Sequence, residues 1–203
     1  MEQRRRIVMF NRVTADGYFS GPDGKLDWVV PDDTIDNAGA SAIPDFDTML
    51  FGRRTYDAFE SFWPKAIDGS GTALDPHGDR RSAALREMGI WINDAHKVVF
   101  SRSRKDVTWK NSQLLRDVDP RAIEAMKKGP GKDIIIFGSG SIVSQLTEHG
   151  LIDEYQFVVT PILLGDGKSI VTNIPTRSKL NLLEATSQKS GNVMLRYARS
   201  TEV

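Results

Sequence analysis

The 203-residue sequence contains no cysteine. Disulfides, thiolate nucleophiles and cysteine-ligated zinc are therefore excluded. Histidine is scarce: His77, His96 and His149 are widely separated and form no His-x-x-x-His pair, which argues against a metal site. No apolar run approaches the ~18 residues of a membrane span. The opening MEQRRRIVMFNRV is basic but lacks an apolar stretch followed by a small-residue cleavage site, so the expected compartment is the cytoplasm. Net charge is missing too. Lys+Arg and Asp+Glu stand at 27 each, which argues against nucleic acid as a partner while leaving room for a local basic pocket.

What is present is the composition of an ordinary soluble protein, 39% hydrophobic and 27% charged. The length suits one core, and no repeat or linker interrupts it, so a single domain over residues 1–203 is expected. RIVMFNRVT reads as a first strand, followed by a long loop with two Asp-Gly pairs. PDDTIDNAGASA reads as a short helix capped by Asp32 or Asp33. DTMLFG reads as a second strand, running into a helix with Thr55, Phe59, Phe62 and Trp63 on one stripe and ending at Pro64. Residues 65–79 are loop-like. Then come a helix beginning near Arg80, the strand KVVFS, a short strand at Val107–Trp109, and a helix with Asp119 as cap, Pro120 at its first position and Gly129 past its end. DIIIF and SIVSQLTEHG form one more strand–helix pair. The chain closes with strands at EYQFVVT, Lys179–Ser187 and VMLRYAR, the last two joined by a hairpin at Ser190–Asn192. Alternating strands and helices predict an α/β sheet that is largely parallel, and the final strands predict an antiparallel edge.

Three strand ends carry chemistry. At MLFGRRTY, Gly52 leads into a helix whose first turn holds Arg53, Arg54 and Thr55. Free N–H groups and the helix dipole make an anion site there, or the turn is simply a solvated basic one. At IIIFGSGSI, Gly138 and Gly140 flank Ser139, and Ser141 and Ile142 open a helix. The turn suits a phosphate but lacks the third glycine of GxGxxG and the GK[ST] of a Walker loop, so an ordinary tight turn stays open. At VVFSRSRK, Ser101 and Arg102 suit an adenosine phosphate or form a solvated basic loop. Trp28 and Tyr56 suit stacking on a flat ring or core packing.

Taken together, VTADGYFSGPDGKLDW, MLFGRRTYDAFESFWP, KVVFSRS, IIIFGSGSIVSQLTEHGLIDEYQFVVTPILLGDGKSI and GNVMLRYAR resemble the dihydrofolate reductase-like family. The branch that is most similar is the reductase domain of the bifunctional riboflavin-biosynthesis deaminase-reductase and its stand-alone relatives. The zinc deaminase half of that enzyme has no counterpart, because no Pro-Cys-x-x-Cys pattern exists. The resemblance implies a three-layer fold with a mostly parallel mixed sheet and an antiparallel C-terminal hairpin. It implies NADPH as cofactor, held by Gly52, Arg53, Arg54 and Thr55, by Ser101 and Arg102, and by Gly138, Ser139, Gly140, Ser141 and Ile142. It places Ala15, Asp16 and Trp28 at the nicotinamide and substrate end, and Tyr56 joins them as a substrate-binding candidate on its flat ring alone. It also implies a homodimer.

The expected activity is hydride transfer to a C=N or C=O carbon of a small pyrimidine- or pterin-like compound. Asp32 and Asp33 are the first choices for organising the proton, and Asp32, Asp33 and Asp36 stay open as the carboxylate that anchors the ring. The alternative is an NADPH-binding sensor without turnover.

Overall fold

The computed structural model describes residues 4–66 and 83–200. The loop read at 65–79 therefore falls almost wholly outside the described residues. The first strand, β1 (Ile7–Thr14), is buried on both faces, as its unbroken apolar start requires of a central parallel strand. Around it lie β3 (Phe46–Gly52), β4 (His96–Phe100), β5 (Ser112–Leu115), β6 (Asp133–Phe137), β7 (Glu154–Thr160), β9 (Leu180–Ser187) and β10 (Val193–Arg199). They form one eight-stranded sheet in the order β5-β4-β3-β6-β1-β7-β10-β9. Pairings from β5 through β7 are parallel, and β10 runs antiparallel to both β7 and β9. The C-terminal hairpin is therefore as the sequence predicts.

Helices cover both faces. Ile123 of α4 (Pro120–Lys128) and Ile142, Val143 and Leu146 of α5 (Gly140–Glu148) pack on one face with Ile7, Met9 and Ile136. Tyr56 and Trp63 of α2 (Arg53–Ala66) and Ile92 of α3 (Ala83–Asp94) pack on the other with Val8, Phe51 and Val99. A fifth helix, α1 (Asp33–Ala42), starts at the Asp32 cap.

This arrangement places the site. β3 and β6 are neighbours, yet the helix after β3 goes to one face and the helix after β6 to the other. A parallel sheet opens a crevice at the carboxyl ends of strands where connections diverge in this way.

Three local readings change. Helix α2 continues through Pro64 to Ala66 rather than ending at the proline. Near a helix end, one missing N–H costs one bond without stopping the chain. No strand forms at Val107–Trp109. There the Trp109 indole donates to Asn93 Oδ1 at 2.8 Å and its amide to the Tyr56 hydroxyl at 3.3 Å, and pairing begins only after Asn111 turns the chain at φ 57°. The first long loop contains β2 (Tyr18–Ser20), which pairs with β8 (Lys168–Ser169) in a separate ribbon too short to leave a periodic signal.

Candidate active site

A cleft of about 1760 Å³ opens at the crevice between α2 and α5. Its floor is the two glycine junctions, and they are locked together. The Gly52 amide donates to Ser139 Oγ at 2.9 Å, and the Ser139 amide donates to Thr55 Oγ1 at 3.1 Å. The chain turns from β6 into α5 through two successive left-handed residues, Gly138 at φ 56° and Ser139 at φ 61°. A Cβ at Gly138 would lie 3.0 Å from Thr55 Oγ1 and 3.1 Å from its methyl, so only glycine fits. A Cβ at Gly140 would crowd the Ile170 carbonyl at 3.2 Å and the Phe19 ring at 3.4 Å.

The first turn of α5 has no side-chain cap. The amides of Ile142 and Val143 bond to the Ser139 carbonyl, which leaves those of Gly140 and Ser141 as the orphan donors of the helix start. Arg53 and Arg54 flank them at the start of α2. Arg53 is paired with Asp57 at 3.0 Å, whereas Arg54 is exposed and has no carboxylate partner among the described residues. Bare amides, a helix dipole and an exposed guanidinium are the donor set a pyrophosphate requires.

The next stretch of wall is the loop after β4. Ser101 is buried, and its hydroxyl accepts the amides of Ser103 at 3.3 Å and Arg104 at 3.0 Å, so it shapes the loop. Arg116 braces the same loop by donating to the Arg104 carbonyl at 2.6 Å. Arg102 reaches into solvent and is paired with Asp117 at 2.5 Å.

The far end of the cleft is aromatic. Phe10 meets Phe137 at 6.1 Å between ring centroids, Phe137 meets Phe59 at 5.7 Å, and Phe59 meets Trp63 at 5.9 Å. Arg12 lies on the same face of β1 as Phe10 and is paired with Asp36 at 2.9 Å. Burial pulls the Arg12 guanidinium below its usual range, while the charges of Asp36 and Asp32 act against that.

Of the residues read as cofactor-binding, Gly52, Arg53, Arg54, Thr55, Ser101 and Arg102 line this cleft, as do Gly138, Ser139, Gly140, Ser141 and Ile142. Ala15 does not. It lies outside the cleft, its amide bonded to the Ile162 carbonyl. Asp16 is spent on structure, accepting the amides of Leu164 at 3.0 Å and Gly165 at 2.7 Å and the Thr14 hydroxyl at 2.5 Å, which hold its carboxyl below the usual range. Trp28 is buried between Asp27 and Val29, which do line the cleft. Tyr56 is fully buried on the core side of α2, its hydroxyl within 3.1 Å of Glu60 and 3.2 Å of Ser112. Neither Asp32 nor Asp33 reaches the cleft. Burial pushes the Asp32 carboxyl up, but hydrogen bonds from Ser190 and from the amides of Ile35 and Thr34 hold it below its usual value, as suits a helix cap.

Asp36 is the one of the three open carboxylates that does line the cleft. Arg12, the aromatic wall, Arg116 and Asp117 were not read from the sequence. A guanidinium inside the otherwise buried strand IVMFNRVT was the available signal for Arg12.

A mostly parallel sheet with a cleft at its switch point and an antiparallel C-terminal hairpin defines the dihydrofolate reductase-like class. Within it, residues 5–195 match the RibD C-terminal domain, and the chain belongs to that family. YyaP of Bacillus subtilis strain 168, an uncharacterised protein, is 27% identical over 195 residues, covering 96% of this chain and 95% of that relative. A putative riboflavin biosynthesis protein from Shewanella sp. PV-4 superposes with a TM-score of 0.72 at 20% identity, over 96% of this chain and 99% of that one. The dihydrofolate reductase of Enterococcus faecalis, solved in complex with NADP(H), gives a TM-score of 0.59 at 13% identity over 96% of each chain. Among the described residues, no group of three or more potential metal ligands occurs and no helix is long and apolar enough to cross a membrane.

Proposed function

We propose that this protein is an NADPH-dependent reductase that delivers hydride to a C=N or C=O carbon of a small pyrimidine- or pterin-like compound. The observation that carries the reading is the pair of glycine junctions clamped through Ser139 at the floor of a cleft large enough for a dinucleotide and a second molecule. NADPH, when bound, supplies the hydride. The chain's own residues bind, orient and exclude water. The Gly140 and Ser141 amides and Arg54 suit the pyrophosphate, and Arg102 suits the 2′-phosphate. The aromatic wall keeps water from the reacting end. The half-exposed C-terminal strands, with Leu182 and Leu183 at 58% and 54% exposure, support a homodimer built on that face.

A second reading, an NADPH-binding protein without turnover, is favoured by one observation. No histidine, cysteine or tyrosine lines the cleft among the described residues, and Asp32 and Asp33 lie outside it. Titration with NADPH followed by absorbance decay in the presence of dihydropterins and aminouracils separates the two. Oxidation of any candidate supports the reductase. Tight binding with no oxidation of any of them supports the sensor, and no NADPH binding overturns both.

A further inference from the structure

Arg12 is a costly residue where it stands. It interrupts a buried central strand, its side chain is only 14% exposed, and its Nη1 is buried without a hydrogen-bond partner. A buried charged donor left without a partner is costly, because its desolvation is not offset. Nη2 is fixed by Asp36 at 2.9 Å, so the guanidinium is oriented and one of its nitrogens has nothing to hold. Native structures rarely leave such a group unexplained, and a missing ligand is one explanation. The surroundings define the ligand. Phe10 lies two residues away on the same face of the strand, and from it the chain of ring contacts runs through Phe137 and Phe59 to Trp63, with Phe62 packed on Trp63 at 5.0 Å. Val29 and Ile35 line the same cleft.

We infer that Arg12 is the substrate anchor, and that the substrate is a flat, conjugated compound whose carbonyl oxygen or imine nitrogen accepts a hydrogen bond from Arg12. Asp36 is then a positioning residue that holds the guanidinium at the correct angle. Arg12 lines the cleft beside Phe10 and Asp36. The aromatic rings stack on the flat body of the ligand, and the cation selects for an acceptor at its edge. The placement also suits the chemistry. Were NADPH bound, hydride delivered to the C=O or C=N carbon would move the π pair to the heteroatom, and Arg12 would stabilise that charge until a solvent proton arrived. That last step rests on the reductase reading; the binding claim does not.

The test compares coumarin, flat with a conjugated carbonyl, with naphthalene, flat without an acceptor. Binding of each to the full chain is followed by ligand-observed NMR, with and without NADP+. Arg12→Met should weaken coumarin about tenfold, the loss expected for one charge-assisted hydrogen bond, and leave naphthalene within about twofold. NADP+ affinity should be unchanged. Arg12→Lys, which keeps charge and core volume but not the fork, should lose part of the coumarin affinity and carries the comparison if Arg12→Met fails to fold. Equal losses for both ligands, no loss for coumarin, or no coumarin binding to the wild type would overturn the assignment. Failure to bind NADP+ with the coumarin loss intact would remove the reductase reading and leave the anchor standing.

Discussion

Ser139 Oγ accepts the amide of Gly52 at 2.9 Å across the crevice between α2 and α5. The two residues are 87 positions apart, and both are buried. The bond fixes the distance between two helix starts that face the same ligand.

Removing that clamp has a defined cost. Ser139→Ala leaves the buried Gly52 N–H unpaired and retains a side chain at φ 61°. It should lose about 1–3 kcal/mol of stability. Ser139→Gly removes the same acceptor but relieves the left-handed conformation, so its loss should be smaller. Both variants should bind NADPH more weakly. Urea denaturation and fluorescence titration check the order, and an unchanged Ser139→Ala in both measurements would show that the clamp holds nothing.

The Arg102–Asp117 pair leads to a cofactor prediction. A 2′-phosphate must compete with Asp117 for the guanidinium, and an exposed pair of this kind is weak, in the range of about 0–1 kcal/mol. Arg102→Ala should therefore reduce NADPH affinity about tenfold more than NADH affinity. Asp117→Asn should shift the preference further toward NADPH by removing a like charge from the phosphate. Arg54→Ala, at the helix start, should weaken both cofactors alike. Parallel titrations with NADPH and NADH decide, and equal losses for Arg102→Ala would remove it from the 2′-phosphate.

How much of this was legible in the sequence follows from the range of each interaction. Gly138, Gly140 and the Arg53–Thr55 turn were legible because strand-to-helix junctions are local, and the glycines there answer to local backbone geometry. The role of Ser139 as a clamp was not, because its partner Gly52 is distant in the chain and only the β3–β6 register brings them together. Asp32 misled for the same reason. Its spacing reads equally as cap or acid, and its contact with Ser190 depends on the C-terminal hairpin folding back over α1. Tyr56 misled because both core and cleft lie on the apolar side of α2, and no periodicity separates them.

Asp32 then has a structural test. Asp32→Ala removes the cap of α1 and the partner of Ser190, and should cost about 1–2 kcal/mol while leaving NADPH affinity unaltered. The acid side follows from the sign of the shift. The folded-state carboxyl titrates below the ordinary 3.8, so its stabilisation is complete above that value. It is lost as pH falls through the lower folded-state value. Wild type minus Asp32→Ala stability, followed down from neutral pH, should shrink only below about pH 4. A large loss of NADPH affinity with little loss of stability would return Asp32 to the site.

Lys97 gives a prediction at the opposite end of the pH scale. It is fully buried, donates to the carbonyls of Asn93 at 3.0 Å, Ala95 at 2.8 Å and Lys110 at 3.3 Å, and lies 4.4 Å from the centre of the Trp109 ring. Among the described residues no carboxylate forms a salt bridge with it, and desolvation, with the nearby Lys110 charge, lowers its pKa to about 8. The unfolded chain, near 10.5, binds that proton more tightly than the folded one. Stability must therefore rise as pH climbs from about 8 to about 10.5, by up to roughly 3 kcal/mol. Lys97→Met supplies the reference. It leaves three carbonyls unpaired and will be less stable at every pH, but it should lack this slope. Burial pushes the hydroxyls of Tyr56 and Tyr155 up in both proteins, so their titration cancels in the difference. Chemical denaturation of the pair at several pH values reads the effect directly. A wild-type advantage that stays constant, or falls, between those limits would mean that Lys97 keeps its proton with ordinary affinity.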